Sequence, residues 1–215
     1  MGRTSPALWS TLAIHNIIAG IYAMLGQIDE ARAHAAEATT IAARAGDLQF
    51  LVMAAFGLGW CDVLLGSGRA AVDRLAPLFE RHSALIASGD GLATLAEAYL
   101  LIGDLAQAEA TVERFRGTGQ LTPSPLISLQ RVRGILRTRQ GRTAEATDAF
   151  EEALATARAV PFPYGEATTL YEYGRMLAGE GKHEEARACW HQAEEIFRRI
   201  DARLMLARTE QALQP

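Results

Sequence analysis

Little in this chain announces a catalyst, a membrane protein or a nucleic-acid binder. Its 215 residues hold two cysteines, Cys61 and Cys189, far apart in sequence. No disulfide is expected between them, and free thiols in a reducing cytoplasm are the reading that follows. No uninterrupted apolar run reaches the roughly 20 residues of a membrane span, so no membrane segment is expected. The opening Met1-Gly2-Arg3-Thr4-Ser5-Pro6 has no long apolar core behind its charge, which argues against a secretory signal. It also places Pro6 where N-myristoylation needs Ser or Thr. Net charge is −4 with acidic and basic residues interleaved, so no direct nucleic-acid or membrane-surface partner is expected. There is no Gly-Lys-Ser/Thr phosphate loop and no helix-turn-helix with a basic reading helix. Strand-like alternation is missing as well, and β-branched residues are scattered. Lysine is nearly absent while alanine and arginine abound, a composition expected of a high-GC bacterial source.

What the chain does have is a beat. Gly26, Gly66, Gly103, Gly141 and Gly181 follow one another at steps of 40, 37, 38 and 40 residues. Five residues after each stands an alanine: Ala31, Ala71, Ala108, Ala146 and Ala186. Seven residues before each stands a residue with little or no side chain: Ala19, Gly59, Ala96, Gly134 and Gly174. A fixed period of this size marks a stacked repeat array. Between the beats, apolar residues recur at helical spacing, as in Leu8, Leu12, Ile14, Ile18, Tyr22 and Leu25.

The pattern predicts antiparallel helix pairs at 7–25 with 29–45, 49–65 with 69–87, 92–102 with 105–116, 126–140 with 143–159, and 164–180 with 183–199. A last helix, 202–213, caps the array. Each turn glycine is expected in the left-handed conformation, with Asp104 and Ser67 as caps of the helices that follow. The plus-five alanine and the small residue before the turn are expected to meet where the helix axes cross. Leu75, Val112, Phe150 and Trp190, nine positions past the glycine, are expected to fill the space between repeats. Pro77 falls inside a helix and is expected to kink it. Two stretches interrupt the rhythm, Pro161-Phe162-Pro163 and the turn-rich 117–125. The second divides a single array, 1–215, into 1–116 and 126–215, either as a hinge or as a longer loop in a rigid stack.

Chemistry-bearing residues do not assemble into a reaction centre. Gly66-Ser67-Gly68-Arg69 follows a helix and reads as an interhelix turn. His183-Glu184-Glu185 lacks a second histidine at zinc spacing, and Cys189 and His191 lie on different sides of a helix. Glu151-Glu152 and Glu194-Glu195 are sequence neighbours that do not face one another. His15, on an apolar stripe, reads as a packed side chain, and His34 and His82 stand apart from any nucleophile. No enzyme activity, cofactor or metal is expected.

The small residue, the turn glycine, alanine at plus five, a large residue at plus nine and alanine at plus twelve (Ala38, Ala153, Ala193) resemble tetratricopeptide repeats (TPR) over nearly the whole chain. The repeats run longer than the usual 34 residues, and the proline that often closes a repeat is missing. The last unit runs from Tyr164-Gly165-Glu166-Ala167 to Ile196-Phe197-Arg198-Arg199-Ile200-Asp201-Ala202-Arg203. It is similar to the closing repeat of the C-terminal arrays in bacterial transcription regulators, the MalT-like and AfsR-like signal-transduction ATPases. The resemblance implies an all-α, right-handed superhelical TPR-like solenoid of about five helix pairs plus a C-terminal capping helix. It also implies a protein or peptide partner in a concave groove lined by the first helix of each pair. Carried onto this chain, that groove holds Asn16 and Met24; Met53, Phe56, Trp60 and Leu64; Glu97 and Leu101; Arg131 and Ile135, with Arg139 nearby; and Tyr171 and Arg175. Its front is apolar and aromatic, and its back is cationic. Helical stripes are also the way cores are built, so packing between helices stands beside the groove reading for Met53, Phe56 and Trp60. The implied function is a non-catalytic interaction module, either the sensor or regulatory array of a transcription regulator or a stand-alone scaffold. Self-association, as a homodimer, would use an apolar first helix at Leu8, Trp9, Leu12 and Ile17.

Overall fold

A computed structural model describes residues 6–81, 89–116 and 122–214. The expected end of the fourth helix at 87, His82, the opening through Ser5 and residues 117–121 lie outside the described residues. Among those described there are eleven α-helices and no strand. They are α1 (Pro6–Leu25), α2 (Ile28–Ala45), α3 (Leu48–Leu64), α4 (Gly68–Arg81), α5 (Gly89–Leu101), α6 (Leu105–Arg116), α7 (Pro123–Arg139), α8 (Thr143–Ala159), α9 (Pro163–Gly179), α10 (His183–Arg199) and α11 (Arg203–Ala212). The chain forms two compact units, Met1–Ala108 and Glu109–Pro215. Consecutive helices pack side by side from α1 to α5 and from α7 to α11, and so do successive first helices: α1 on α3 on α5, and α7 on α9.

The turns set the register. Gly26, Gly66, Gly103, Gly141 and Gly181 have φ of 81°, 74°, 80°, 72° and 76°, the left-handed region where a side chain is strained. Each closes a double hydrogen-bonded helix end. At the first, Gly26 donates to the Ala23 carbonyl at 3.1 Å and Gln27 to that of Tyr22 at 2.9 Å. The residue after each glycine then accepts the first bond of the next helix from the plus-five alanine. Ala31 to Gln27 at 3.0 Å and Ala186 to Lys182 at 3.0 Å are two of the five. One glycine therefore fixes where the next helix starts and which face its alanine presents. Asp104 caps α6 by accepting from the Gln107 amide at 3.0 Å, and Asp47 caps α3 in the same way. Pro77 lies inside α4.

All five plus-five alanines are fully buried. The minus-seven positions, however, receive a different neighbour from the one expected. A methyl group built on Gly59 would lie 2.7 Å from Leu75, one on Gly134 would lie 2.6 Å from Phe150, and one on Gly174 would lie 2.5 Å from the Trp190 ring. The large plus-nine residue thus enters a notch in its own pair partner, and Phe150 also fills the space between repeats as expected, stacking on Tyr173 of α9 at 5.4 Å. The two pairs with alanine at minus seven carry smaller plus-nine residues, Ala19 with Ala35 and Ala96 with Val112. Notch and knob change size together because close-packed helices tolerate neither voids nor overlap.

Each unit also has a buried ionic tie among the described residues. In the first unit, Asp62 on α3 is 3% exposed and accepts from Arg32 on α2 at 2.7 Å and from Arg74 on α4 at 3.2 Å. In the second, Arg137 on α7 is 6% exposed and donates to Glu109 at 2.6 Å and to Gln140 at 2.6 Å, with Glu145 at 3.5 Å. Asp62 and Arg137 each stand four residues before a turn glycine, and Arg32 and Glu109 each six after one. The same inter-repeat tie is made twice, with its charges exchanged. Hydrogen bonds from Arg137 and then Gln140 hold the Glu109 carboxyl below its ordinary value.

Helix α1 corrects the expectation that no segment is long and apolar enough to span a membrane. Ala7–Leu25 is 19 residues long with mean hydropathy 1.4, and 17% of the window is buried. It contains no Asp, Glu, Lys or Arg. Ser10, Thr11, His15 and Asn16 break the apolar run and hide its length when uninterrupted runs are sought. At the other end α11 packs on α10 through buried Met205 and Thr209, as a capping helix should.

Gly134→Ala should lower stability by about 1–3 kcal/mol through overlap with Phe150. Adding Phe150→Val, the combination found at Ala96 and Val112, should cost less than the two single changes summed. Strict additivity of urea midpoints would refute the notch. Glu109 contributes fully above its unfolded pKa and loses that contribution as pH falls through its lower folded value. Glu109→Gln should be less stable at neutral pH and lose less on acidification; parallel acid profiles would refute the tie.

Candidate binding face of the first helices

The predicted groove residues fall mainly on two registers of the first helices. Ten residues before the turn glycine stand Asn16, Phe56, Ala93, Arg131 and Tyr171. Six before it stand Gly20, Trp60, Glu97, Ile135 and Arg175. Positions four apart share one helix face. Apart from buried Ala93 and exposed Arg175, these positions are half-buried, as the wall of a face should be. Positions twelve and five before the glycine belong to another face and are buried in all four later repeats.

In the first unit, Asn16 turns back on its own helix, donating to the Leu12 carbonyl at 2.9 Å. Phe56 stacks on Phe79 at 5.5 Å, and its ring lies 2.5 Å from a methyl built on Gly91. It is thereby wedged between α3, α4 and α5. Trp60, Met24 and Glu97 are half-buried, Met53 is exposed, Leu64 is buried and Leu101 is exposed. The first unit thus offers an aromatic wall in which Phe56 is committed to packing.

In the second unit, α7 and α9 lie side by side and carry the cationic residues. Arg131 is half-buried and Arg139 exposed. Arg175 bonds Glu172 at 3.2 Å, and its guanidinium carbon stands 6.0 Å from the centre of the Tyr171 ring. Glu172 raises the Arg175 pKa, while burial raises that of Tyr171. The backbone oxygen of Tyr171 accepts from the Trp190 indole at 3.1 Å, which ties α9 to α10 and holds the Tyr171 segment in place. Ile135 packs instead against the core cluster around Phe150 and Met176. The result is a fixed aromatic–guanidinium pair, with donors suited to carboxylates.

Sequence reading passed over three polar clusters. Two are the buried ties at Asp62 and Arg137. The third joins His15 and His34, Nδ1 to Nδ1 at 3.1 Å, with Tyr22 stacked on His34 at 5.6 Å. The predicted packing role of His15 has this pair as its partner. Among the described residues no three His, Cys, Asp or Glu side chains come together as a metal site would require. Burial raises the pKa of both Cys61 and Cys189, leaving them poor nucleophiles.

Comparison with known proteins bears on the fold. Residues 125–199 match the tetratricopeptide repeat family. A thermophilic TPR protein of Thermus thermophilus superposes with a TM-score of 0.65 at 20% identity, covering 95% of this chain and 99% of the other. The nearly identical TPR-like repeats of a Podosopora anserina kinesin light chain superpose with a TM-score of 0.52 at 22% identity, covering 86% and 94%. No curated protein sequence matches. At such identities the structures speak for the fold alone. The fold is all-α and of the TPR-like solenoid class, and residues 125–199 match the tetratricopeptide repeat model by sequence.

Proposed function

We propose that this chain is a non-catalytic array that binds a protein or peptide segment along its first helices. TPR repeats are in general protein-interaction modules. The observation that carries the reading for this chain is the shared face of α7 and α9, where Arg131, Tyr171 and Arg175 occupy the same registers as Phe56 and Trp60. A segment with acidic residues suits the cationic part, and one with apolar or aromatic residues suits the part around Trp60. Glu172 already holds Arg175, so an incoming carboxylate competes with an internal one and is favoured when it brings more than one contact. The expected compartment is the cytoplasm.

A finer reading makes the array the sensor of a bacterial transcription regulator, in keeping with the resemblance of residues 164–203. Occupancy of the face would bias the stack, whose stability is close to a nearest-neighbour sum, and so reorient an attached module. An ATPase and a DNA-binding region in the same reading frame would support it. A frame that encodes this array alone would favour the scaffold.

The test is fluorescence anisotropy with labelled peptides that combine aromatic and acidic residues, on the wild type and on Arg131→Ala/Arg175→Ala. Binding should weaken by roughly 10-fold in the double variant, with little change in melting temperature. It should also weaken with added salt. Equal affinity of both proteins for every peptide that binds would remove the arginines from the site.

A further inference from the structure

We propose that α1 is a dimerisation helix that pairs with α1 of a second copy of this chain, antiparallel and about a two-fold axis. The proposal does not rest on the binding face of the previous section: its three isoleucines lie on a different side of the helix, and Met24 alone belongs to both. Ile14, Ile17 and Ile21 are 54%, 61% and 46% exposed. Their counterparts in the later repeats show what this side is for. Position 14 corresponds to Ala54, Gly91, Leu129 and Thr169, and position 21 to Cys61, Ala98, Leu136 and Met176. All eight are buried.

The cover is a helix of the preceding repeat. A methyl built on Gly57, the counterpart of Ile17, would lie 3.7 Å from Ala35 on α2. One on Gly68 of α4 would lie 2.9 Å from the backbone of Ala98. The face that Ile14, Ile17 and Ile21 expose is therefore built to receive a helix. Of the four residues expected to carry self-association, Leu12 is fully buried and Leu8 packs against its cluster, while Trp9 and Ile17 are exposed.

Three features single out a second α1 as the occupant. The exposed stripe Ala7, Ser10, Ile14, Ile17 and Ile21, continued by half-buried Met24, alternates steps of three and four, the seam of a two-helix pairing. Antiparallel pairing of this seam with itself sets Ala7 opposite Met24, Ser10 opposite Ile21 and Ile14 opposite Ile17. Small residues then meet large ones, and the helix dipoles oppose. Charge gives the third feature. Residues 6–25 hold no Asp, Glu, Lys or Arg, so self-pairing brings no like charges of these residues together. The opposite end of the chain presents Arg203, paired with Asp201 at 2.9 Å, and Glu210, near Arg198 at 3.4 Å. Stacking α1 on that end would bury charges against isoleucine.

Sedimentation equilibrium of the full chain tests the pairing. The wild type should dimerise by about 100 µM, and Ile17→Glu should weaken the dimer at least about 100-fold with unchanged helix content. Arg203→Ala should leave the dimer intact. Oxidising a mixture of Ser10→Cys and Ile21→Cys should give a cross-linked dimer that neither variant forms alone. A wild type that stays monomeric overturns the proposal, as does a dimer insensitive to Ile17→Glu, or a Ser10→Cys or Ile21→Cys variant that cross-links to itself. Flotation with zwitterionic phosphatidylcholine vesicles separates the lipid alternative. Vesicle binding that Ile17→Glu abolishes, with no dimer in solution, would assign the face to membrane.

Discussion

The rest of the architecture depends on how closely two helices of a pair can approach. The turn glycine allows the chain to reverse within about two residues, and its hydrogen bonds deliver an alanine to the crossing point. The approach distance is then set by one notch and one knob. Gly134 admits Phe150 and Gly174 admits Trp190, while Ala96 and Ala19 stand at the positions matched with the smaller Val112 and Ala35. A helix interior is a poor place for glycine, which costs roughly 1 kcal/mol against alanine. Here the loss is offset by a ring that would otherwise have no space.

Close pairs alone do not fix how one repeat sits on the next. Alanine-rich faces are smooth, and a smooth interface can slide. The buried ties at Asp62 and Arg137 answer this in the two units, each linking a first helix to a second helix of the repeat before it. A buried ion pair adds little net stability, because desolvation consumes most of the attraction. It is nevertheless sharply distance-dependent, so it penalises a slipped register more than alanine contacts can. The charge reversal between the units has a further consequence: Asp62 matches Arg32 but would repel Glu109. Each first helix therefore suits its own neighbour and not the neighbour's counterpart.

The helix pairs were readable because their cause is local: one glycine, one alanine and one period act within a few residues. Long-range consequences were less readable. Spacing showed that Phe150 and Trp190 were large and regular, but not that Phe150 would fill both a notch in its own pair and the space against Tyr173 of the next repeat. Only the distance between helices decides that. Arg32 and Asp62 are thirty positions apart and belong to no motif. At the candidate face, register was legible and burial was not. Phe56 and Tyr171 stand at the same position of their helices, yet Phe56 is wedged above Gly91 while Tyr171 stays beside an exposed guanidinium. The difference lies in the opposing helix, where glycine at position 91 leaves room for a ring.

The repeat rule also explains why the two ends of the chain differ in chemistry. An inner helix can be apolar on several sides because its neighbours cover them. A terminal helix keeps one side uncovered, and burial no longer compensates for apolar surface there. At α11 the uncovered side carries Arg203, Glu210 and Gln211, the solution expected of a cap. At α1 it carries Ile14, Ile17 and Ile21, residues suited to an inner position. Random exposure of single apolar residues is common on protein surfaces, but Ile14 and Ile21, in register with eight buried counterparts, are not scattered. The same backbone geometry thus carries a surface made for water at one end and a surface made for another helix at the other.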